Sequence, residues 1–415
     1  MIPAVRPDVL AALSLLTAAA VRERANLILD AGLADRLQYF RVDLQRLEQA
    51  ADLTLAVTRE AYPSLEIPFH SRWRHFAIDG DDRWMQIAAK ERWPSRMARA
   101  RAEFDLAIIS VLLDAGAGAT WRYRDIVTGR NIGRSEGLAL ASLDMFRGGL
   151  FSANLSDSLR ADAMKLEALD PAALAHGFQA GPGNPLLGID GRVDLLRRLG
   201  RAVLDAPSVF ARSDPPRPGG LFDHLADLAI GGQVSAATVL TEVLKHLGSI
   251  WPGRLVLGGI PLGDCWRHPA VKTGDATDEL APLHKLSQWL TYSLIEPMER
   301  AGIAVTEIDE LTGLAEYRNG GLFIDTGTLA LRDQAEAVRQ HEVGATLVVE
   351  WRALTVALLD RLAALVRQRL GRDARQLPMG KILQGGTWAA GRAIAGRLRP
   401  DGSPPLRVTS DGTVF

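Results

Sequence analysis

The chain has 415 residues, of which 47 % are apolar and 23 % charged. That balance belongs to one large or two ordinary folded domains and excludes disorder for most of the chain. With 48 basic and 49 acidic side chains the net charge is −1, so there is no basic field of the kind that binds nucleic acid through its phosphates. The single cysteine, Cys265, excludes an intrachain disulfide and a cysteine-rich zinc module.

Residues 9–21 (VLAALSLLTAAAV) form the longest apolar run, short of the roughly 18 residues that span a membrane. Asp8 precedes it as a helix cap, and Arg22, Glu23 and Arg24 follow it. We read it as a packing helix of a cytoplasmic protein rather than a signal segment. Val21, Ala25, Ile28 and Leu29 share one helical stripe, and Gly32 marks a stop. A second helix starts after Asp43 and ends before Pro63. The Pro- and aromatic-rich stretch 63–84 reads as an ordered loop. Ala102, Leu106, Ile109 and Leu113 are in phase for a helix over 94–115. Residues 171–185 and 215–220 are Pro/Gly-rich connectors. The second connector divides an N-terminal helical region, 1–213, from a C-terminal region, 221–415. In the latter, RLVLGGI (254–260) reads as a strand. HKLSQWLTYSLIEPMERAG (284–302) reads as a helix kinked or ended near Pro297. LAEYRNGGLFID (314–325) reads as a tight hairpin about Gly320–Gly321, where positive φ is needed. Helical patterns resume over 333–370. The fold class is mainly α (α+β), with a small β element in the second half and no internal repeat.

No phosphate-binding P-loop, dinucleotide fingerprint, nucleophile elbow or H-E-x-x-H helix is present. Gly380-Lys381 resembles a P-loop ending, but Ile382 stands where the magnesium-binding Ser or Thr would be. His70 and His75, with Cys265 and His268, have ligand-type spacing. Polar side chains lining a pocket describe them better than a metal site, and we expect neither metal nor cofactor.

Four segments combine Gly, Pro, Trp and charge in ways that a packing helix does not. In PFHSRWRHF (68–76), His70, Arg72, Trp73, Arg74 and His75 crowd together, and the two guanidinium groups suit a phosphate. In GGIPLGDCWRHPA (258–270), Asp264 follows a flexible glycine, and Trp266 offers an apolar wall that would shift a carboxylate's pKa or exclude water. In LTGLAEYRNGGLFIDTG (311–327), Glu316, Tyr317, Arg318, Asn319 and Asp325 gather near the expected turn, and Glu316 and Arg318 would share a strand face. In PMGKILQGGTWAAGR (378–392), Gly385 and Gly386 would present free N–H groups to an anion, assisted by Lys381 and Arg392.

The strings IPFHSRWRHF, GDCWRHPA, HKLSQWLTYSLIEP, LTGLAEYRNGGLFID and KILQGGTWAAGR together resemble the uracil catabolism protein 4 family of fungi and bacteria. The resemblance implies a role in a non-reductive route of uracil degradation. There uracil is joined to ribose phosphate, and a relative of GTP cyclohydrolase opens the ring. A second similarity, carried by Gly263-Asp264-Cys265-Trp266 and then Tyr292-Ser293, is to queuosine-salvage N-glycosidases. It implies a helical, DNA-glycosylase-like body and an Asp264 acting at the anomeric carbon of a sugar.

Together the resemblances imply hydrolysis of the C1′–N bond of a ribosylurea phosphate, with release of urea. Asp264, Glu316 and Asp325 would be the catalytic carboxylates. His70, Arg72, Trp73, Arg74, His75, Trp266, His268, Lys285, Tyr317, Arg318, Asn319, Lys381, Gly385, Gly386 and Trp388 would bind the substrate. The partner is a small phosphorylated ribosyl compound, with no nucleic acid and no membrane, and an association with other uracil-catabolism enzymes. Two alternatives stay open: a metal-dependent amidohydrolase step on the ring-opened nucleotide using His70, His75 or His268, and a non-catalytic partner of the ring-opening enzyme.

Overall fold

Apolar periodicity of 3.6 dominates this sequence, and the computed structural model is accordingly mainly helical, with β-structure confined to paired strands of two or three residues. It describes residues 6–114, 116–118, 120–154, 156–212, 215–251 and 255–409. They divide into two units, each assembled from separate stretches of chain: 6–70, 255–288 and 307–409 form the first, and 71–251 and 289–306 the second. Residues 215–220 lie inside the second unit.

The first unit is organised by the helix Thr346–Leu370, whose sequence TLVVEWRALTVALL is apolar on nearly every face and buried accordingly. The helix Ala18–Leu33, capped by the Thr17 side chain on Ala20 N, packs along it through Val21, Ala25, Ile28 and Leu29. Leu47–Ala61 and Tyr317–Asp325 also pack on it. A continuous helical run, Met379–Leu398, contains a π-helical stretch at 383–387. Phe40–Val42 pairs antiparallel with Leu329–Leu331, and Cys265–Arg267 pairs antiparallel with Leu280–Pro282. In the second unit, Arg96–Leu112 packs against Arg134–Arg147 and Gly220–Leu228, and Gln233–Ser235 runs parallel to Ala304–Thr306. Lys285–Ala301 remains helical through Pro297.

Several expectations need correction. The apolar run 9–21 is broken at 15–17 into two helices, Pro7–Ser14 and Ala18–Leu33, and no helix among the described residues is long and apolar enough to cross a membrane. Residues 255–260 do not make one strand, and residue 254, where the expected strand began, lies outside the described residues. Val256–Leu257 folds back on Ile260–Pro261 through Gly258 and Gly259, whose φ values of 59° and 85° are those of a primed turn. The expected hairpin at Gly320–Gly321 is instead the helix Tyr317–Asp325. Here glycine serves close approach rather than turning: a Cβ on Gly320 would lie 2.7 Å from the Trp351 ring. Residues 171–177, expected as connector, form a helical turn started by Asp170 and Pro171. Within 333–370 the helix begins only at Thr346, after a 3₁₀ turn and the strand Gln340–Glu342.

Candidate active site

Asp264 directly precedes the strand Cys265–Arg267, opposite the point where the partner strand Leu280–Pro282 gives way to the helix Lys285–Ala301. Gly263 takes a φ of 61°, which turns the chain before Cys265–Arg267 pairs with Leu280–Pro282. The Asp264 carbonyl accepts from Leu283 N at 2.9 Å and closes that pair. Its side chain then caps the next helix, accepting from Lys285 N at 3.0 Å. The rest of the carboxylate is enclosed. Arg352 grips it fork to fork, Nη1 to Oδ1 at 2.9 Å and Nη2 to Oδ2 at 2.8 Å. Trp266 Nε1 donates to Oδ1 at 2.7 Å, so this indole is a donor rather than the apolar wall expected. Asp264 is 3 % exposed. Burial opposes its charge, but Arg352 and the hydrogen bonds from Arg352, Trp266 and Lys285 N outweigh that and hold the carboxyl well below the usual carboxylate range. Burial pushes the adjacent Cys265 thiol up, out of reach as a nucleophile.

Arg352 also reaches the next loop, through Nε to Ala315 O at 3.4 Å. The following residue, Glu316, caps the helix Tyr317–Asp325 by accepting from Arg318 N and Asn319 N. Part of the Glu316 side chain meets solvent, while its carboxyl group is packed among protein atoms. That burial raises its pKa, against the two backbone N–H groups and the Lys285 and Arg318 charges. Lys285 bears on both carboxylates: its backbone N–H holds Asp264, and its charge opposes the rise at Glu316. Asn319 Nδ2 donates to Leu314 O at 3.2 Å, and its Oδ1 is buried with no hydrogen-bond partner among the described residues.

Asp325 does not join this group. The helix carries it roughly 12 Å along the axis from Tyr317, at about 1.5 Å per residue, and Arg399 takes both its oxygens there. Arg318 does not pair with Glu316 across a strand face: its guanidinium stacks over Tyr317 and donates to Gly402 O at 2.9 Å. His268 Nε2 lies 3.3 Å from Glu350 Oε2, both buried, and Glu350 Oε1 accepts from Tyr39 N and Phe40 N. That pair anchors the strand Phe40–Val42.

A second group in the same unit joins 62–70 to 379–388. His70 N donates to Gly380 O at 2.9 Å, and His70 Nδ1 meets Gln384 Oε1 at 3.0 Å. Gln384 in turn donates to the Tyr62 hydroxyl at 3.1 Å. Burial lowers the His70 pKa, with Gln384 opposing, which favours the neutral ring. Lys381 lies over the Phe69 ring, and Arg392 over Trp388. Gly385 and Gly386 form no anion-binding turn: they lie inside the π-helical stretch, and a Cβ on Gly386 would meet Thr58 Oγ1 at 2.5 Å. They are small so that the helix Leu47–Ala61 can come close.

Arg72, Trp73, Arg74 and His75 belong to the second unit. Arg72 is fully buried and donates through Nε to Ser110 Oγ at 2.6 Å and through Nη1 to Asp114 at 2.7 Å. Trp73 Nε1 donates to Ser293 O at 2.7 Å, and Arg74 binds both oxygens of Glu296. His75 packs edge-on against Trp289. None of His70, His75, Cys265 and His268 belongs to a group of three or more ligand-type side chains close enough to share an ion, among the described residues.

The family model described as "Protein of unknown function (DUF1688)" matches residues 14–415. The chain is 37 % identical over 404 residues to Protein urg3 of Schizosaccharomyces pombe, covering 95 % of this chain and 96 % of that one. It is also 37 % identical over 413 residues to Uracil catabolism protein 4 of Lachancea kluyveri, covering 91 % and 92 %. The chain belongs to the uracil catabolism protein 4 family. In this family member, the residue that completes the Asp264 group is Arg352, and the one that pairs with His268 is Glu350; motif reading singled out neither. Their signal was present: two charges inside LVVEWRALTVALL, an otherwise apolar helix, have to be paired where they are buried.

Proposed function

We propose that this protein is a hydrolase of uracil catabolism, and that it breaks the C1′–N glycosidic bond of a ribosylurea phosphate to release urea. The pathway assignment rests on the family and on the name of the Lachancea kluyveri relative, Uracil catabolism protein 4. The observation that supports the reaction is the pair of carboxylates on which Lys285 bears, one driven toward the charged form by Arg352 and its hydrogen bonds and the other toward the protonated form by burial. Two carboxyl groups with pKa values forced apart are what glycosidic cleavage requires.

In this reading Asp264 is a fixed negative charge. Its four hydrogen bonds keep it from acting as a proton acceptor, and it needs no reorganisation as positive charge develops at C1′. Glu316 handles the proton: it protonates the departing urea nitrogen and then takes a proton from the water whose oxygen bonds to C1′. The products are urea and ribose phosphate, so every atom of substrate and water is accounted for. The buried Oδ1 of Asn319, which has no hydrogen-bond partner among the described residues and whose backbone N–H donates to Glu316, accepts an N–H of the urea group. Incubating the purified protein with ribosylurea phosphate and assaying both products tests the reading. Stoichiometric urea and ribose phosphate support it, and absence of both removes it.

A further inference from the structure

We propose that His224, Glu242 and His246 form a binding site for a divalent transition-metal ion, zinc by its donor set. The three residues lie in the second unit and take no part in the Asp264 group. Glu242 and His246 are four residues apart on the helix Ala236–Leu247, so their side chains stand one turn apart on the same face. His224 comes from the helix Gly220–Leu228.

Both imidazoles aim Nε2 at the same carboxylate oxygen: His224 lies 2.8 Å and His246 3.1 Å from Glu242 Oε2, and the three ligand atoms all lie within 4.8 Å of one another. A tetrahedral zinc site with nitrogen and oxygen ligands at 2.0–2.2 Å has ligand–ligand edges of about 3.3 Å, so both carboxylate–histidine edges are already within tenths of an ångström of that length, and the two imidazoles need only close toward each other to admit the ion. The group is also oriented in advance. Lys245 Nζ holds the other Glu242 oxygen at 2.8 Å, which leaves Oε2 to the histidines. The edge of Phe210 fixes the His246 ring. Glu242 is buried, while the two histidines keep 17 % and 23 % of their side chains exposed, so an ion can enter from solvent. Two imidazoles and one carboxylate select zinc-like ions over magnesium or calcium, and three protein ligands leave a fourth position for water. A bound ion would clamp the two helices to each other.

The test is titration of chelator-treated, full-length protein with zinc by calorimetry, and with cobalt(II) followed by its visible absorption. We expect one ion per chain, a tetrahedral cobalt spectrum, a rise in melting temperature with zinc and no response to magnesium. His224→Gln and His246→Gln should each weaken zinc binding by at least ~10-fold. Both histidines are partly exposed, and unchanged melting of the variants in chelator verifies their fold. No zinc uptake by the wild type, or undiminished uptake in both folded variants, overturns the site. Neither readout depends on glycosidase activity.

Discussion

Each unit has a fully buried arginine paired with an aspartate, Arg352 with Asp264 and Arg72 with Asp114, and these two pairs are built differently. In the first unit Arg352 and Asp264 meet fork to fork, and Trp266 and Lys285 N supply two more donors. In the second unit Arg72 spreads its donors over Ser110, Asp114 and the Ser135 carbonyl, and its Nη2 is buried with no hydrogen-bond partner among the described residues. The first arrangement saturates a carboxylate and stores a fixed charge. The second ties together the segment 71–76 and the helices Arg96–Leu112 and Arg134–Arg147. A cluster of charges in sequence need not be a free charged surface: in RWRH both guanidinium groups engage Ser110, Asp114 and Glu296, while a single Asp beside a glycine has a whole shell built for it.

The largest effect should come from breaking the saturated pair. Arg352→Met leaves a buried carboxylate uncompensated and should cost roughly 3–5 kcal/mol, read from the denaturant midpoint. Asp264→Asn leaves the buried guanidinium uncompensated and should cost a similar amount. The double variant Asp264→Asn/Arg352→Gln removes both charges and should recover most of the loss. A double variant no more stable than either single one would show that the two residues do not act as a pair.

The second pair should matter less. Arg72→Met loses charged hydrogen bonds to Asp114 and Ser110, roughly 1.5–3 kcal/mol. A loss equal to that of Arg352→Met would erase the contrast between the two regions. A gentler effect is expected with pH. His70 and His284 are buried in the first unit, and burial lowers both pKa values. The unfolded chain takes up these protons near pH 6.5 while the folded chain does not, so stability should fall as the pH drops below that value. Melting temperatures from pH 7.5 to 5.5 should show the decline, and the variant His70→Gln should flatten it. The smallest effect belongs to Arg74→Ala, whose partly exposed pair with Glu296 should be worth about 0–1 kcal/mol.

Much of the helical framework was legible from the chain alone. The phase of Ala102, Leu106 and Ile109 is that of the helix Arg96–Leu112, and HKLSQWLTYSLIEP is helical as its pattern reads. The failure at Gly320–Gly321 has a specific cause. A Gly-Gly pair is a turn signal only when φ is positive, as at Gly258–Gly259, whereas at Gly320 the missing side chain admits Trp351. The i, i+3, i+4 spacing of Ala315, Arg318, Asn319, Leu322 and Phe323 was the competing helical signal. Asp264 was legible because Gly263 and Trp266 flank it. Arg352 was not, because its partner lies 88 residues away, and only the cost of burying a charge points to one. The His224–Glu242–His246 group was missed for the same reason: His224 and Glu242 are 18 residues apart, on different helices.

The central claim is that the enclosed Asp264 charge drives glycosidic cleavage. Its most direct test is single-turnover release of urea from ribosylurea phosphate, comparing the wild type with Asp264→Asn/Arg352→Gln at a temperature where melting shows both to be folded. The account predicts release by the wild type and a fall of roughly 10² or more in the double variant. A folded double variant that releases urea at the wild-type rate, or a wild type that releases none, would contradict it.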